Sequence, residues 1–153
     1  MAFKRMAKYL AEAHLHMERL MDVLERIKIF YPLNVDKFDK LTSIQKDMLD
    51  ALAFRFMKLQ DLLGSKIFRE YLIEMGFVAE DKTFFDILKE VENENIVDID
   101  TWSEFRKVRN ILAHDYPDNM EEKLEAINYL IENSPILLKV VDKIEDKVNS
   151  RRT

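Results

Sequence analysis

The residues of this chain best suited to chemistry crowd into one short stretch, Arg106-Lys107-Val108-Arg109-Asn110-Ile111-Leu112-Ala113-His114-Asp115-Tyr116-Pro117. Arg109 carries a planar fork of N–H donors that matches the oxygens of a phosphate. His114 carries an imidazole, a group that can take and return a proton near neutral pH. Asn110 can orient a neighbouring group, and Tyr116 offers a hydroxyl that can donate, accept or be modified. Each also has an ordinary structural explanation: a solvated arginine, a histidine capping a helix end, a tyrosine packed before a proline. On a regular helix Arg109 and His114 stand roughly 140° apart, so they do not share a face. Three arrangements bring them together: a deformed helix end, a long arginine arm reaching round, or a site assembled from two copies of the chain.

The elements that must hold this stretch are helical. The 153 residues include only two glycines and three prolines, whereas 48% are hydrophobic and 35% charged. That balance suits one folded domain built from long helices with few turns. Without cysteine, disulfides, thiol catalysis and cysteine metal sites are excluded. Charges interrupt every apolar run of the N-terminal MAFKRMAKYLAEAHLHMERL, and no stretch approaches the roughly 20 apolar residues of a membrane span. The expectation is a cytoplasmic protein with no membrane partner. A net charge of −5 argues against extensive non-specific binding to duplex nucleic acid, which phosphate neutralisation drives, but is compatible with a small basic pocket.

Periodicity predicts an up-and-down bundle of five to six helices over residues 1–148, with 149–153 a polar, fraying tail. The first helix spans about 3–30, with Leu10, Met17, Leu20, Met21, Leu24 and Ile27 on one stripe, and Tyr31-Pro32 breaks it. Thr42 and Gln45 form a capping box for a second helix over about 43–63, extending to 75, with Ile44, Met48, Leu52, Phe56, Leu59 and Leu63 on one face. Gly64-Ser65 marks a bend or a close helix contact, and Gly76 a C-terminal cap. Thr83 with Asp86 opens a third helix (84–93), and Thr101 with Glu104 a fourth (102–114) that Pro117 closes. Asn119 with Glu122 opens a fifth (120–133), and Pro135 in a first turn starts a sixth.

On these residues the chain resembles the HEPN domain family, and most closely the HepT toxin ribonucleases and related nucleotidyltransferase substrate-binding proteins. Arg109-Asn110-x-x-x-His114-x-Tyr116 is similar to the family's R-polar-x(3)-H-x-Y motif, with Trp102 beginning the motif helix and ILAHDYP following the arginine. Asp50-Ala-Leu-Ala-Phe-Arg55-Phe56 and Leu63-Gly64-Ser-Lys-Ile-Phe68 look like its second-helix pattern, so the resemblance covers most of the chain. It implies a homodimer in which two motifs face one another across a composite cleft. It further implies metal-independent endoribonuclease chemistry without cofactor, in which His114 is general base or acid, Arg109 holds the phosphate and Asn110 supports the site. Tyr116 is then the target of AMPylation by a minimal nucleotidyltransferase antitoxin, which silences the toxin. The alternative is a non-enzymatic helical partner, or substrate-binding subunit, of a nucleotidyltransferase.

Neighbouring residues have weaker claims. Arg106 and Lys107 extend a phosphate site or form a solvated face. Asp47, Asp50 and Asp61 fall within about 60° on the second helix, where they orient Arg109 or Arg55 across the cleft or serve as an ordinary polar surface. His14 and His16 lie on nearly opposite sides of the first helix, and no set of metal ligands is expected. The absence of a glycine-rich phosphate loop argues that this chain is not itself the nucleotidyltransferase.

Overall fold

The computed structural model describes residues 2–114 and 119–152. Their architecture is an all-α bundle. Its elements are α1 (Ala2–Ile27), a 3₁₀ turn (Lys28–Phe30), α2 (Val35–Asp39), α3 (Ser43–Leu62), a π-helical turn (Leu63–Ile67), α4 (Phe68–Glu74), α5 (Phe84–Asn93), α6 (Ile99–Ala113) and α7 (Met120–Arg152). Among the described residues, no helix is long and apolar enough to cross a membrane.

Met6, Leu10, Ala13, Met17, Leu20, Val23 and Ile27 bury one face of α1, at the three- and four-residue intervals of a helix stripe. Met21, expected on that stripe, is 55% exposed because its position lies roughly 90° from the stripe's centre. The main partner of α1 is α3. Arg5 Nε lies 2.9 Å from Glu70 Oε1 and Lys66 sits over the Tyr9 ring, so the start of α1 meets the far end of the α3–α4 rod and the two run antiparallel. Between them His16 is buried, with Nδ1 lacking a hydrogen-bond partner. Loss of hydration lowers its pKa, Glu12 opposes that shift, and the nearby charges of Arg55 and Lys58 add to it.

Local signals set most helix ends. Thr42 and Gln45 form the expected reciprocal box at the start of α3, and Thr83 and Asp86 form another at α5. Gly76, at φ +95°, ends α4 with bonds from its own N–H to Ile73 and from Phe77 N–H to Leu72, the pattern a left-handed residue allows. Asn95, at φ +61°, repeats it after α5. The short α2 was not expected. Asn34 caps it, and Asn128 of α7 ties down the preceding loop through both Leu33 N (2.8 Å) and Leu33 O (2.9 Å). Ile44, assigned from periodicity to the buried face of α3, is 70% exposed in that helix's first turn.

Three expectations need correction. α6 starts at Ile99, not at Trp102, because Asp98 rather than Thr101 is the cap and accepts from Thr101 N at 2.6 Å. That hydrogen bond holds the Asp98 carboxyl below its usual range. The fifth and sixth helices are one, since α7 runs without interruption through Pro135. Leu124, Ile127, Leu130, Ser134, Leu137, Val141, Ile144 and Val148 make a single buried stripe on both sides of the proline, whereas Pro135 itself is exposed. Burial of several apolar side chains at about 1.5–3 kcal/mol each outweighs a helix-interior proline at about 3 kcal/mol. The polar end is also helical through Arg152, where Arg152 Nε lies 2.7 Å from Glu74 Oε1 and Arg151 Nε donates to the Glu74 carbonyl at 3.1 Å.

Candidate functional site

Packing of one helix, α6, positions the motif residues. Trp102, Phe105 and Val108 are buried, and the two aromatic rings lock α6 onto the bundle. Phe105 meets Phe56 edge-on at 5.3 Å between centroids, and Trp102 meets Phe68 at 4.8 Å. With that face inward, the remaining residues of α6 divide between two flanks.

On the flank facing α3, Arg109 Nη2 donates to Asp61 Oδ2 at 3.0 Å, and Nε lies 3.0 Å from Oδ1. Nε itself has no aligned hydrogen bond, so the pair is close side-on but only one N–H is well directed. The Nη1 edge of the guanidinium points away from the carboxylate. Next to this pair is a hollow of about 510 Å³ between the π-helical turn, the start of α5 and α6. Gly64, Phe84, Trp102 and Arg106 border it. Gly64 matters because a Cβ there would lie 3.1 Å from Trp102 Cζ2 and 3.7 Å from Phe84 Cε1. The close helix contact read from Gly64-Ser65 is therefore present, and the rod continues through it as a π turn rather than stopping.

On the flank facing the start of α7, a cleft of about 760 Å³ is bordered by Arg106, Lys107, Asn110, His114, Glu122 and Lys123, among others. Among the described lining residues three permanent cations and an imidazole thus meet one carboxylate, on a chain that is acidic as a whole. Asn119 accepts from Glu122 N at 3.4 Å and donates to its carboxylate, as the spacing predicts, and this cap fixes the first turn of α7 that presents Lys123.

His114 is the C-cap of α6 and has already turned extended (φ −101°, ψ 119°), so the helix end does deform. The deformation leaves Arg109 and His114 on different flanks of α6: one borders the α3 hollow, the other the α7 cleft. Arg106 borders both, and its guanidinium lies 5.6 Å from the centroid of the Phe84 ring. Asn110 accompanies His114.

Asp61 is the acidic residue of α3 that meets Arg109. Asp50 is exposed about 16 Å earlier along the same helix and is not among the described residues bordering either cavity. Arg55 faces elsewhere as well, stacked 5.1 Å from the Phe54 ring centroid and close enough to His16 to lower its pKa. The pairing of Arg109 with an aspartate of the second helix was legible as a possibility, and helix periodicity could not choose among three aspartates on nearly one face. Phe84, Gln60 and Lys123 were missed as site residues. A capping box just before Phe84 was the one available hint, because it predicts where α5 begins. His14 pairs with Glu145 across α1 and α7, with Nε2 2.8 Å from Oε2, and among the described residues no cluster of three metal-binding side chains occurs. Tyr116 and Pro117 lie outside the described residues.

Fold and site together define an all-α bundle with a basic, imidazole-bearing cleft at a helix end. Comparison of the chain with family models, curated proteins and solved structures finds no match.

Proposed function

We propose that the chain is a HEPN-type toxin ribonuclease that works as a homodimer and cuts RNA without a metal ion. The observation that carries this reading is the α6–α7 cleft, where His114 and Asn110 line one opening with Arg106, Lys107 and, from α7, Lys123. A proton-transfer group beside several cations is what cleavage of a phosphodiester by its own 2′-hydroxyl requires. In that reaction His114 takes the 2′-hydroxyl proton, the 2′ oxygen bonds to phosphorus, and the bond to the 5′ oxygen breaks. The products are a 2′,3′-cyclic phosphate and a 5′-hydroxyl that receives a proton from an imidazolium.

Arg109 acts on the phosphate through its Nη1 edge while Asp61 fixes the Nε edge. Because Arg109 and His114 occupy different flanks of one α6, the reading requires the arginine of one copy to meet the histidine of the other. Modification of Tyr116 with AMP by a nucleotidyltransferase antitoxin would add negative charge two residues from His114 and block the RNA.

The purified protein, free of any partner, should cut single-stranded RNA in the presence of chelator. His114→Ala and Arg109→Ala should each lower the rate at least about a hundredfold with unchanged far-ultraviolet dichroism. Mixing the two inactive variants should restore part of the activity if the site spans two copies. Wild-type protein inert toward RNA, or full activity in His114→Ala, overturns the proposal. A protein that is inert but gains the mass of AMP on Tyr116 when co-expressed with a nucleotidyltransferase supports the non-enzymatic partner instead.

A further inference from the structure

The hollow on the α3 flank has a composition unlike that of the basic cleft. Its walls include the Phe84 ring, the Trp102 indole edge and the bare backbone of Gly64. The polar groups are the Arg109–Asp61 pair, Arg106 at the rim, Gln60, and Ser65, whose hydroxyl donates to the Asp61 carbonyl at 2.6 Å. Gln60 is only 3% exposed, and its Oε1 has no hydrogen-bond partner. A buried amide with unused bonding capacity is uncommon in a settled core, and because Gln60 borders the hollow, a turn of its side chain would bring this oxygen to a ligand there. The volume, about 510 Å³, lies within the range of small-molecule sites, which are mainly apolar with a few directed polar groups.

We infer that this hollow is a nucleobase pocket that seats a base of the RNA next to the cleaved linkage. The exposed Arg106 side chain lifts off the Phe84 ring, 5.6 Å away at the centroid, to admit the base between them, and the edge of the base faces the Gln60 amide. Arg106 already sits on the Phe84 face, and both planar groups attract the face of a base. Because Arg106 borders the hollow and the basic cleft alike, one nucleotide can place its base in the first and its phosphate toward the second. The missing side chain at Gly64 keeps the Trp102 edge within reach. This inference rests on the ribonuclease reading for its substrate, but the pocket can be tested without any cleavage.

Trp102 is the single tryptophan of the chain, so its emission reports on the hollow. Uncharged nucleosides titrated into the whole protein to millimolar concentration should change that emission saturably, and ribose 5-phosphate, which lacks a base, should not. Phe84→Ala should weaken the nucleoside response about tenfold, as expected for loss of one base–aromatic stack. Arg106→Ala, a change at an exposed position, should weaken it severalfold and decides the matter if Phe84→Ala does not fold. No response to nucleosides, an equal response to ribose 5-phosphate, or a response that survives both substitutions overturns the pocket. His114→Ala should leave the nucleoside response intact while cleavage is lost, so failure of the pocket and failure of the nuclease reading remain distinguishable.

Discussion

The two flanks of α6 solve different problems with side chains drawn from the same few turns. Toward α3 the helix presents Trp102 and Arg109 to a hollow with two aromatic walls, and Arg109 is held there by Asp61, 48 residues away in the chain. Toward α7 it presents Lys107, Asn110 and His114 to an open, cationic cleft whose far wall is the newly started helix. The first flank is suited to shape and stacking, the second to charge and proton transfer. Both depend on the same buried face, so the contrast teaches that one well-packed helix can present two differently composed surfaces when its core residues leave two flanks free.

The most damaging way to break this arrangement is to remove the shared support. Phe105 is fully buried against Phe56, Trp102 and Tyr129. Phe105→Ala should cost about 3–5 kcal/mol of stability and, in the surviving folded fraction, weaken both flanks together. Urea denaturation measures the first effect. A stable variant impaired on one flank only would refute the common-support argument.

A milder test separates the stability of the fold from the integrity of the site. The folded pKa of His16 is lowered below its ordinary value of 6.5, by burial first and by the Arg55 and Lys58 charges in addition, against the pull of Glu12. The unfolded chain therefore binds this proton more readily than the folded one. Stability from this group is complete above about pH 6.5 and declines as pH falls toward the depressed folded value. Denaturation midpoints measured between pH 8 and pH 5 should fall on the acid side, and His16→Gln should flatten that part of the decline. Since His16 lies between α1 and α3, away from both flanks, the rate of RNA cleavage at pH 8 should be unchanged in the same variant.

The smallest expected change sharpens the contrast between flanks. Lys107 is exposed on the α7 side. Lys107→Ala should shift stability by no more than about 0.5 kcal/mol. It should reduce the salt dependence of RNA binding by about one phosphate contact in a plot of log affinity against log salt, and leave the Trp102 response to nucleosides unchanged. An unaltered salt slope would remove Lys107 from the RNA path.

Much of this was available before any coordinates. The reciprocal caps at Thr42 and Thr83 and the left-handed stop at Gly76 are short-range effects, and short-range effects can be read from residue spacing; the glycine at 64 hinted at a close contact, but only the fold names Trp102 and Phe84 as its partners. Asp98 shows the margin of error, since a second acceptor three residues upstream of Thr101 took the cap. Pro135 shows a larger one. A local rule predicts a new helix at a proline, but the apolar stripe on either side of it keeps the same phase, and burial along α7 carried the helix through. The aspartates of α3 show a third kind of limit. Periodicity groups Asp47, Asp50 and Asp61 on nearly one face, while only the crossing of α3 with α6 selects Asp61 for Arg109.

From sequence alone follow the helical class, most of the caps, and the clustering of Arg109, Asn110 and His114 at the end of one helix. These depend on backbone preferences and side-chain types within a few residues of each other. Tertiary packing alone decided which flank each group joins, which carboxylate holds the arginine, that Phe84 and Gln60 border the same hollow, and that α7 is unbroken. Those outcomes hinge on distances between residues remote in the chain, where burial and helix crossing outweigh every local preference.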